Sequence, residues 1–249
     1  MSLWKHKQDW EELGSMDPFW AILNYSNQRF GKWDVNEFFI TGEQEIEKIM
    51  HHVTQLGYLS RWQLALDFGC GVGRTTKALA KYFQQCHGVD IAENMILKAR
   101  ELNASIPNCN FFVNNEEDLR LFPDNNFDMI YTNIVLQHMP CKSMIESYIS
   151  EFMRTLKDEG LLIFQLPSYI PLLNRIQPRR RLYLLLKTLG FDGKFLYERL
   201  KLFPGMRMNF IPENEVLELI SMTGGKVLEV QVDSMAGTSI QSRTYFITK

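Results

Sequence analysis

The sequence predicts an α/β fold: a seven-stranded, mostly parallel sheet with helices on both faces and an antiparallel last strand. Three observations carry this expectation. Short apolar runs alternate with helical stretches from Gln63 to Leu166, the pattern of a parallel sheet covered on both sides. A glycine-rich turn, Gly69-Cys70-Gly71-Val72-Gly73, joins the first run to the next helix, where backbone can come close to a ligand at the strand tips. Two final runs, Lys226 to Asp233 and Gln241 to Thr248, are separated only by a loop, which implies antiparallel pairing at the sheet end.

Taken in order, residues 1–42 hold many aromatics without a period, Trp4, Trp10, Trp20, Trp33, Phe38 and Phe39 among them. They are expected to form an irregular helical cap, with the main domain spanning 43–249. Ile46, Ile49, Met50, Val53 and Leu56 recur at helical spacing, and Gly57 ends that helix. Strands are expected at Gln63–Phe68, Cys86–Asp90, Cys109–Val113, Phe127–Thr132 and Leu161–Leu166. Helices are expected at Arg74–Phe83, Glu93–Asn103 and Lys142–Leu156. Residues 168–210 break the pattern: Pro171, Pro178 and Pro204 punctuate a stretch with nine basic and two acidic residues, read as a lid insertion. A helix then begins near Pro212 and Glu213 and stops at Gly224-Gly225.

The 249 residues suffice for one α/β domain with a modest insertion. With 27 Lys and Arg against 29 Asp and Glu, the chain lacks the positive excess that drives general binding to phosphate backbones. Cys70, Cys86, Cys109 and Cys141 are scattered without a Cys-x-x-Cys pair, which argues for a reducing compartment and against zinc. Met1 to Glu12 lacks the pattern of a signal peptide, and no apolar run reaches membrane-spanning length. A cytoplasmic protein without stable membrane insertion is expected.

The chemistry concentrates around the glycine turn. Its spacing is Gly-x-Gly-x-Gly, and Asp67 closes the strand before it. A pyrophosphate needs loop amides free of nearby negative charge, so a carboxylate here disfavours a dinucleotide and suits a cationic ligand. No Gly-Lys-Ser/Thr follows, which disfavours a nucleoside triphosphate. Asp90 ends the second strand, where it can accept two hydrogen bonds from a ribose diol or cap the helix starting at Glu93. Ile91 and Met95 would supply an apolar wall against an adenine face.

This ordered set resembles the class I S-adenosylmethionine-dependent methyltransferases, of Rossmann-like fold, over Gln63 to Leu166, and in particular the bacterial branch acting on small molecules. The resemblance implies that Asp67 and the Gly69-Cys70-Gly71 turn line the methionine end, that Asp90 binds the ribose, and that Asn115 and Glu116 meet the adenine edge. Many members carry Asp where this chain has Asn115. It places Thr132 and Asn133 beside the cofactor sulfur, where the methyl acceptor approaches. The Trp33 to Gly42 segment resembles a cap that folds over the cofactor, although plain packing against the sheet edge would account for it equally. Asp128 begins its strand and is expected to be structural.

Methyl transfer from a sulfonium has a neutral leaving group, so alignment and water exclusion matter more than acid-base machinery. His138 is the histidine expected near the methyl position, as a base for a hydroxyl acceptor or else as a helix-start packing residue. His6, His51, His52 and His87 are expected to lie away from the chemistry. No His, Asp and Glu trio has ligand spacing, so no metal is expected. Thr132-Asn133-Ile134-Val135 stands where amino-methylating DNA enzymes carry Asn/Asp-Pro-Pro-aromatic, so DNA is not the expected substrate. Pro140-Cys141 is expected to open a helix. The Arg179-Arg180-Arg181 run would either attract an anionic acceptor or form a solvated helical face. Transfer to oxygen or nitrogen of a small-to-medium acceptor is expected. The alternatives are a noncatalytic S-adenosylmethionine-binding protein and an RNA or protein methyltransferase.

Overall fold

The computed structural model describes residues 2–203 and 207–249; Pro204 lies outside them. Seven strands form one sheet: β1 (Leu64–Phe68), β2 (Gln85–Asp90), β3 (Cys109–Val113), β4 (Phe127–Thr132), β5 (Leu156–Tyr169), β6 (Lys226–Asp233) and β7 (Gln241–Thr248). Their order is β3-β2-β1-β4-β5-β7-β6. The pairs from β3 to β5 are parallel, and β7 runs antiparallel to both β5 and β6. The chain moves outward from β1 to β3 and then returns to β4 on the other side of β1. That reversal opens a crevice at the carboxyl ends of the central strands, where ligands bind in sheets of this kind.

Helices α3 (Val35–Leu56), α4 (Arg74–Leu79), α5 (Glu93–Leu102), α6 (Lys142–Thr155) and α10 (Glu213–Met222) accompany the sheet. One core layer joins Leu66, Ile130 and Phe164 to Ile145, Ile149 and Phe152 of α6. The other joins Ala65, Met129 and Ile163 to Ile46, Met50 and Val53 of α3. Alternate residues of each central strand thus face opposite helical layers, as the period of two requires. Asp128 is structural as expected: its Oδ2 accepts the Gln63 and Leu64 amides, and its Oδ1 pairs with Lys157.

Several boundaries differ from the sequence reading. The division at residue 42 falls inside α3. Asp34 caps that helix by accepting the Glu37 amide at 3.0 Å, and Phe38, Phe39, Gly42 and Ile46 continue its buried stripe. Gly42 is no break; a Cβ there would lie 2.5 Å from the Arg74 carbonyl oxygen, so the glycine permits close packing of α3 on α4. Helix α4 stops at Leu79 rather than Phe83. Strand β5 begins at Leu156, which the sequence assigns to the preceding helix, and runs through Tyr169.

The two terminal-side additions also exchange roles. The insertion forms α7 (Leu172–Ile176), α8 (Pro178–Thr188) and α9 (Gly193–Leu200); α8 and α9 pack on α1 (Leu3–Met16) and the start of α2 (Pro18–Ile22), while Asn174 of α7 donates to Ser239 at 3.1 Å. Tyr183 donates to Glu12 at 2.7 Å, Lys187 pairs with Glu12, Arg180 pairs with Asp9, and Tyr197 donates to Asp17 at 2.8 Å. Burying Asp9 and Asp17 requires such partners. Among the described residues, no helix is long and apolar enough to cross a membrane.

Candidate active site

The turn after β1 is held open by glycine. Gly69, Gly71 and Gly73 have φ values of +76°, +53° and +83°, the left-handed region that favours glycine. A Cβ on Gly69 would lie 2.4 Å from Val135, and one on Gly71 would lie 2.5 Å from Ile22. The turn amides are already engaged: Gly69 and Cys70 donate to the Val89 carbonyl, and Gly71 donates to Asp90 Oδ2 at 2.9 Å. A pyrophosphate would find none of these three N–H groups free, which agrees with the electrostatic argument from Asp67.

Asp90 sits at the tip of β2, and its other oxygen accepts the Ala92 amide at 2.9 Å. Burial raises its pKa above the usual carboxylate range, and the bonds from the Ala92 and Gly71 amides oppose that rise. Asp67 lies beneath the turn, where its Oδ2 accepts from Thr75 and Thr76 at 2.8 and 2.6 Å. Burial pushes its pKa up to about 6 despite those bonds. Cys70 is likewise buried under the turn.

A cavity of about 570 Å³ opens over this turn, within the usual range for a ligand site. Gly69, Gly71, Asp90, Ile91, Met95 and Asn133 line it, and His138 lies on its wall. These predicted residues are brought together. Asp67, Cys70 and Thr132 are not on the wall; the first two lie under the turn, and Thr132 is buried with its hydroxyl unpartnered. Asn115 and Glu116 are exposed, and Asn115 accepts from Lys7 instead. Asn114, one residue earlier, takes the wall position because its amide continues the ladder to the Asp90 carbonyl at 2.9 Å.

Arg74 is a cavity residue that the sequence reading passed over. It pairs with Glu45 at 2.7 Å, while its Nε is buried without a partner. Glu45 also accepts from Tyr131 and Asn133. Burial alone would raise Glu45, yet the Arg74 charge and these bonds hold it below the usual carboxylate range. The available signal was an arginine directly after the glycine turn, but its acidic partner lies 29 residues away on another helix.

The rest of the cavity wall comes from separate segments, of which the Ala21–Tyr25 stretch sets Ile22 against Gly71. Leu3, His6 and Trp10 of α1, the Ala21–Tyr25 stretch, and Ser234–Gly237 between β6 and β7 line it. The reading that His6 lies away from the chemistry is corrected here. Its ring is buried, and the Trp10 ring sits edge-on to both His6 and His138, at 6.4 and 5.8 Å between centroids. His138 ends a short 3-10 turn rather than starting a helix. Its Nδ1 donates to the Arg207 carbonyl at 3.0 Å, which leaves Nε2 as the acceptor, facing Gln137 at 3.2 Å. Burial lowers both histidines to about 4; His138 adds to the effect on His6. Beside them Ile134 has φ +59°, a strained value for a β-branched residue. Its amide is fixed by Gln165 at 3.1 Å.

Read from the sequence as a lid insertion, the stretch 168–210 has Met208 as its sole contribution to the wall among the described residues. Its arginines face α1 or solvent. Among the described residues there is no group of three or more His, Cys, Asp or Glu able to hold a metal.

Residues 66–164 match the family described as methyltransferase domain. The chain is similar to 2-methyl-6-phytyl-1,4-hydroquinone methyltransferase of Synechocystis, 28% identical over 155 residues, covering 62% of this chain and 47% of that protein. It is also similar to trans-aconitate 2-methyltransferase of Rhizobium rhizogenes, 31% identical over 113 residues, covering 44% and 41%. The chain spans about half the length, or less, of such relatives. In fold it resembles Synechocystis magnesium protoporphyrin IX methyltransferase with bound SAH, at a TM-score of 0.63 and 18% identity, covering 99% of each chain.

Proposed function

We propose, from the premise that residues 66–164 are a methyltransferase domain of the class I, Rossmann-like kind, that this chain transfers a methyl group from S-adenosylmethionine to an acceptor in the same cavity. One observation carries the reading. A single cavity is lined by the Gly69–Gly71 turn and Asp90 together with His6 and His138. A donor and an acceptor can therefore meet inside it without bulk water.

The residues fit the cofactor. Asp90 keeps lone pairs beyond those used by Gly71 and Ala92, enough to accept from a ribose diol. Ile91 and Met95 offer an apolar face to adenine, and Asn114 offers an amide to its edge. The unpartnered Arg74 Nε suits the carboxylate of the methionine tail. Asp67, under the turn, supplies negative potential for the ammonium without direct contact. When bound, the cofactor supplies an electrophilic methyl group on a good leaving group.

The acceptor is proposed to be a small-to-medium molecule methylated at oxygen or nitrogen. The lining favours an uncharged one. Arg74 is already paired with Glu45, and both histidines are neutral near pH 7. His138 Nε2, with its tautomer fixed by the Arg207 carbonyl, would take a hydroxyl proton once the acceptor displaces the Gln137 amide that now donates to it at 3.2 Å. Calorimetry with S-adenosylhomocysteine and with NADH tests the cofactor. Binding of the first alone is expected, and the reverse result overturns the reading. Incubating cell extract with labelled S-adenosylmethionine, followed by mass spectrometry, then identifies what gains a methyl group. Tight cofactor binding without turnover on any acceptor would favour a noncatalytic binding protein.

A further inference from the structure

Outside the cavity, the surface of α8 and α9 combines two properties that rarely coincide. Leu182, Leu185 and Leu189 are 46%, 56% and 66% exposed. Their i, i+3, i+7 spacing places them on one stripe, turned away from the buried Tyr183 that anchors α8 to Glu12. Phe191 and Phe195 extend the stripe, both close to half exposed, with their rings stacked 6.3 Å apart. Leu200 of α9 and Phe30, which touches the Tyr197 ring at 4.9 Å, are exposed apolar side chains nearby. A face this apolar is more than an isolated soluble surface usually presents.

The charge of the same element is the second property. Residues 168–203 hold eight Lys and Arg against two acids, Asp192 and Glu198, whereas the rest of the chain holds 19 against 27. Positive charge is therefore concentrated where the apolar stripe lies. Helical periodicity puts exposed Arg179 and Arg181 on either side of the leucine stripe, and exposed Lys194 and Arg199 on either side of Phe195, with Lys194 paired to Glu198 at 3.9 Å. An occupant must offer an apolar interior and a negative surface together. A second copy of this face would set like charges against one another. A nucleic acid would satisfy the arginines and leave the leucines in water.

We propose that the α8–α9 face seats the protein on an anionic lipid bilayer surface. The leucine stripe and the stacked phenylalanines enter the headgroup boundary while the flanking arginines and lysines contact anionic headgroups. Attachment of this kind is peripheral and reversible, because its apolar area is small and its electrostatic part is screened by salt. The cofactor assignment is a separate matter, since none of these side chains lines the cavity.

Co-sedimentation with vesicles tests the proposal. The protein should pellet with vesicles of phosphatidylglycerol and phosphatidylcholine, about tenfold more tightly than with phosphatidylcholine alone, and high salt should release it. The pair Leu185→Glu with Leu189→Glu, and separately Arg179→Glu with Arg181→Glu, should each weaken binding about tenfold. Circular dichroism and S-adenosylhomocysteine affinity should stay at their native values in both. The inference is overturned if protein with native circular dichroism ignores anionic vesicles, or if both pairs of substitutions leave binding unchanged. It is equally overturned if sedimentation velocity shows a dimer that the leucine substitutions convert to monomer. Vesicle binding without S-adenosylhomocysteine binding would sustain this inference and remove the cofactor reading.

Discussion

Two parts of the cavity are built on different principles. In the part proposed to receive the cofactor, a short continuous turn is locked to the neighbouring strand by backbone bonds: Gly69 and Cys70 to Val89, and Gly71 to Asp90. In the part proposed to receive the acceptor, side chains from α1, the 3-10 turn after β4 and the β6–β7 loop line the same cavity, with one tryptophan edge-on to two histidines. The first part is a property of the sheet tips and tolerates little change. The second is a property of side-chain packing, which loop and helix sequences can vary without disturbing the sheet.

The sharpest way to break this contrast is at Asp90. Asp90→Ala removes the acceptor of two backbone amides as well as the proposed ribose contact, so S-adenosylhomocysteine affinity should fall about a hundredfold, near 3 kcal/mol. Calorimetry measures it, and an unchanged affinity would remove the cofactor part from where it is placed here. On the other side, His138→Ala should lower kcat about tenfold to a hundredfold for a hydroxyl acceptor while leaving S-adenosylhomocysteine affinity within twofold. His6→Ala should behave in the same direction with a smaller loss. Equal losses of cofactor affinity in these variants would show that the two parts are not separable.

Acidity separates the parts further. Asp67 titrates near 6 in the fold, against about 3.9 for an unperturbed carboxyl. Because the folded value is raised, the free protein holds more protons than the unfolded chain between those values. Its stability should therefore fall as pH rises through that window. Affinity for a cationic amino-acid tail should move the opposite way and rise several-fold from pH 5 to 7, since only the carboxylate attracts it. Asp67→Asn should flatten both slopes, read by thermal denaturation and calorimetry. The histidines, lowered to about 4, should give kcat no inflection between pH 6 and 8. The smallest expected effect belongs to the insertion. Replacing Arg179 and Arg181 by Ala should change kcat/KM on a water-soluble acceptor by less than about twofold, since neither lines the cavity.

Legibility in the sequence follows the same division. The glycine turn, Asp90, Ile91 and Met95 were readable because they sit within one strand-turn-helix-strand unit of fixed geometry. After β3 the structure sets Asn114 on the cavity wall and the expected Asn115 outside it, because where a strand ends decides which side chain faces the cavity. Arg74 was visible but not its significance, since Glu45 reaches it from α3. His6 could not be recognised at all: a histidine in an aromatic-rich segment without a period gives no sign of what it will face. The basic insertion left two readings open, an element that attracts an anionic acceptor or a solvated helical face, and exposed Arg179 and Arg181 with Arg180 paired to Asp9 agree with the second.

By itself the sequence determined what depends on local rules: strands from period-two apolar runs, helices from three-to-four spacing, and a turn that tolerates no Cβ beside an acid suited to a sugar. Tertiary structure alone decided what depends on meetings between distant segments. It joined residues 35–42 to the helix that follows as α3, set Asn114 beside Asp90, brought His6 to the wall that carries His138, and turned the leucines of α8 outward. The physical reason is range. Backbone sterics and hydrogen bonding act over a few residues, whereas the shape and charge of a cavity are sums over side chains whose separation along the chain carries no information about their separation in space.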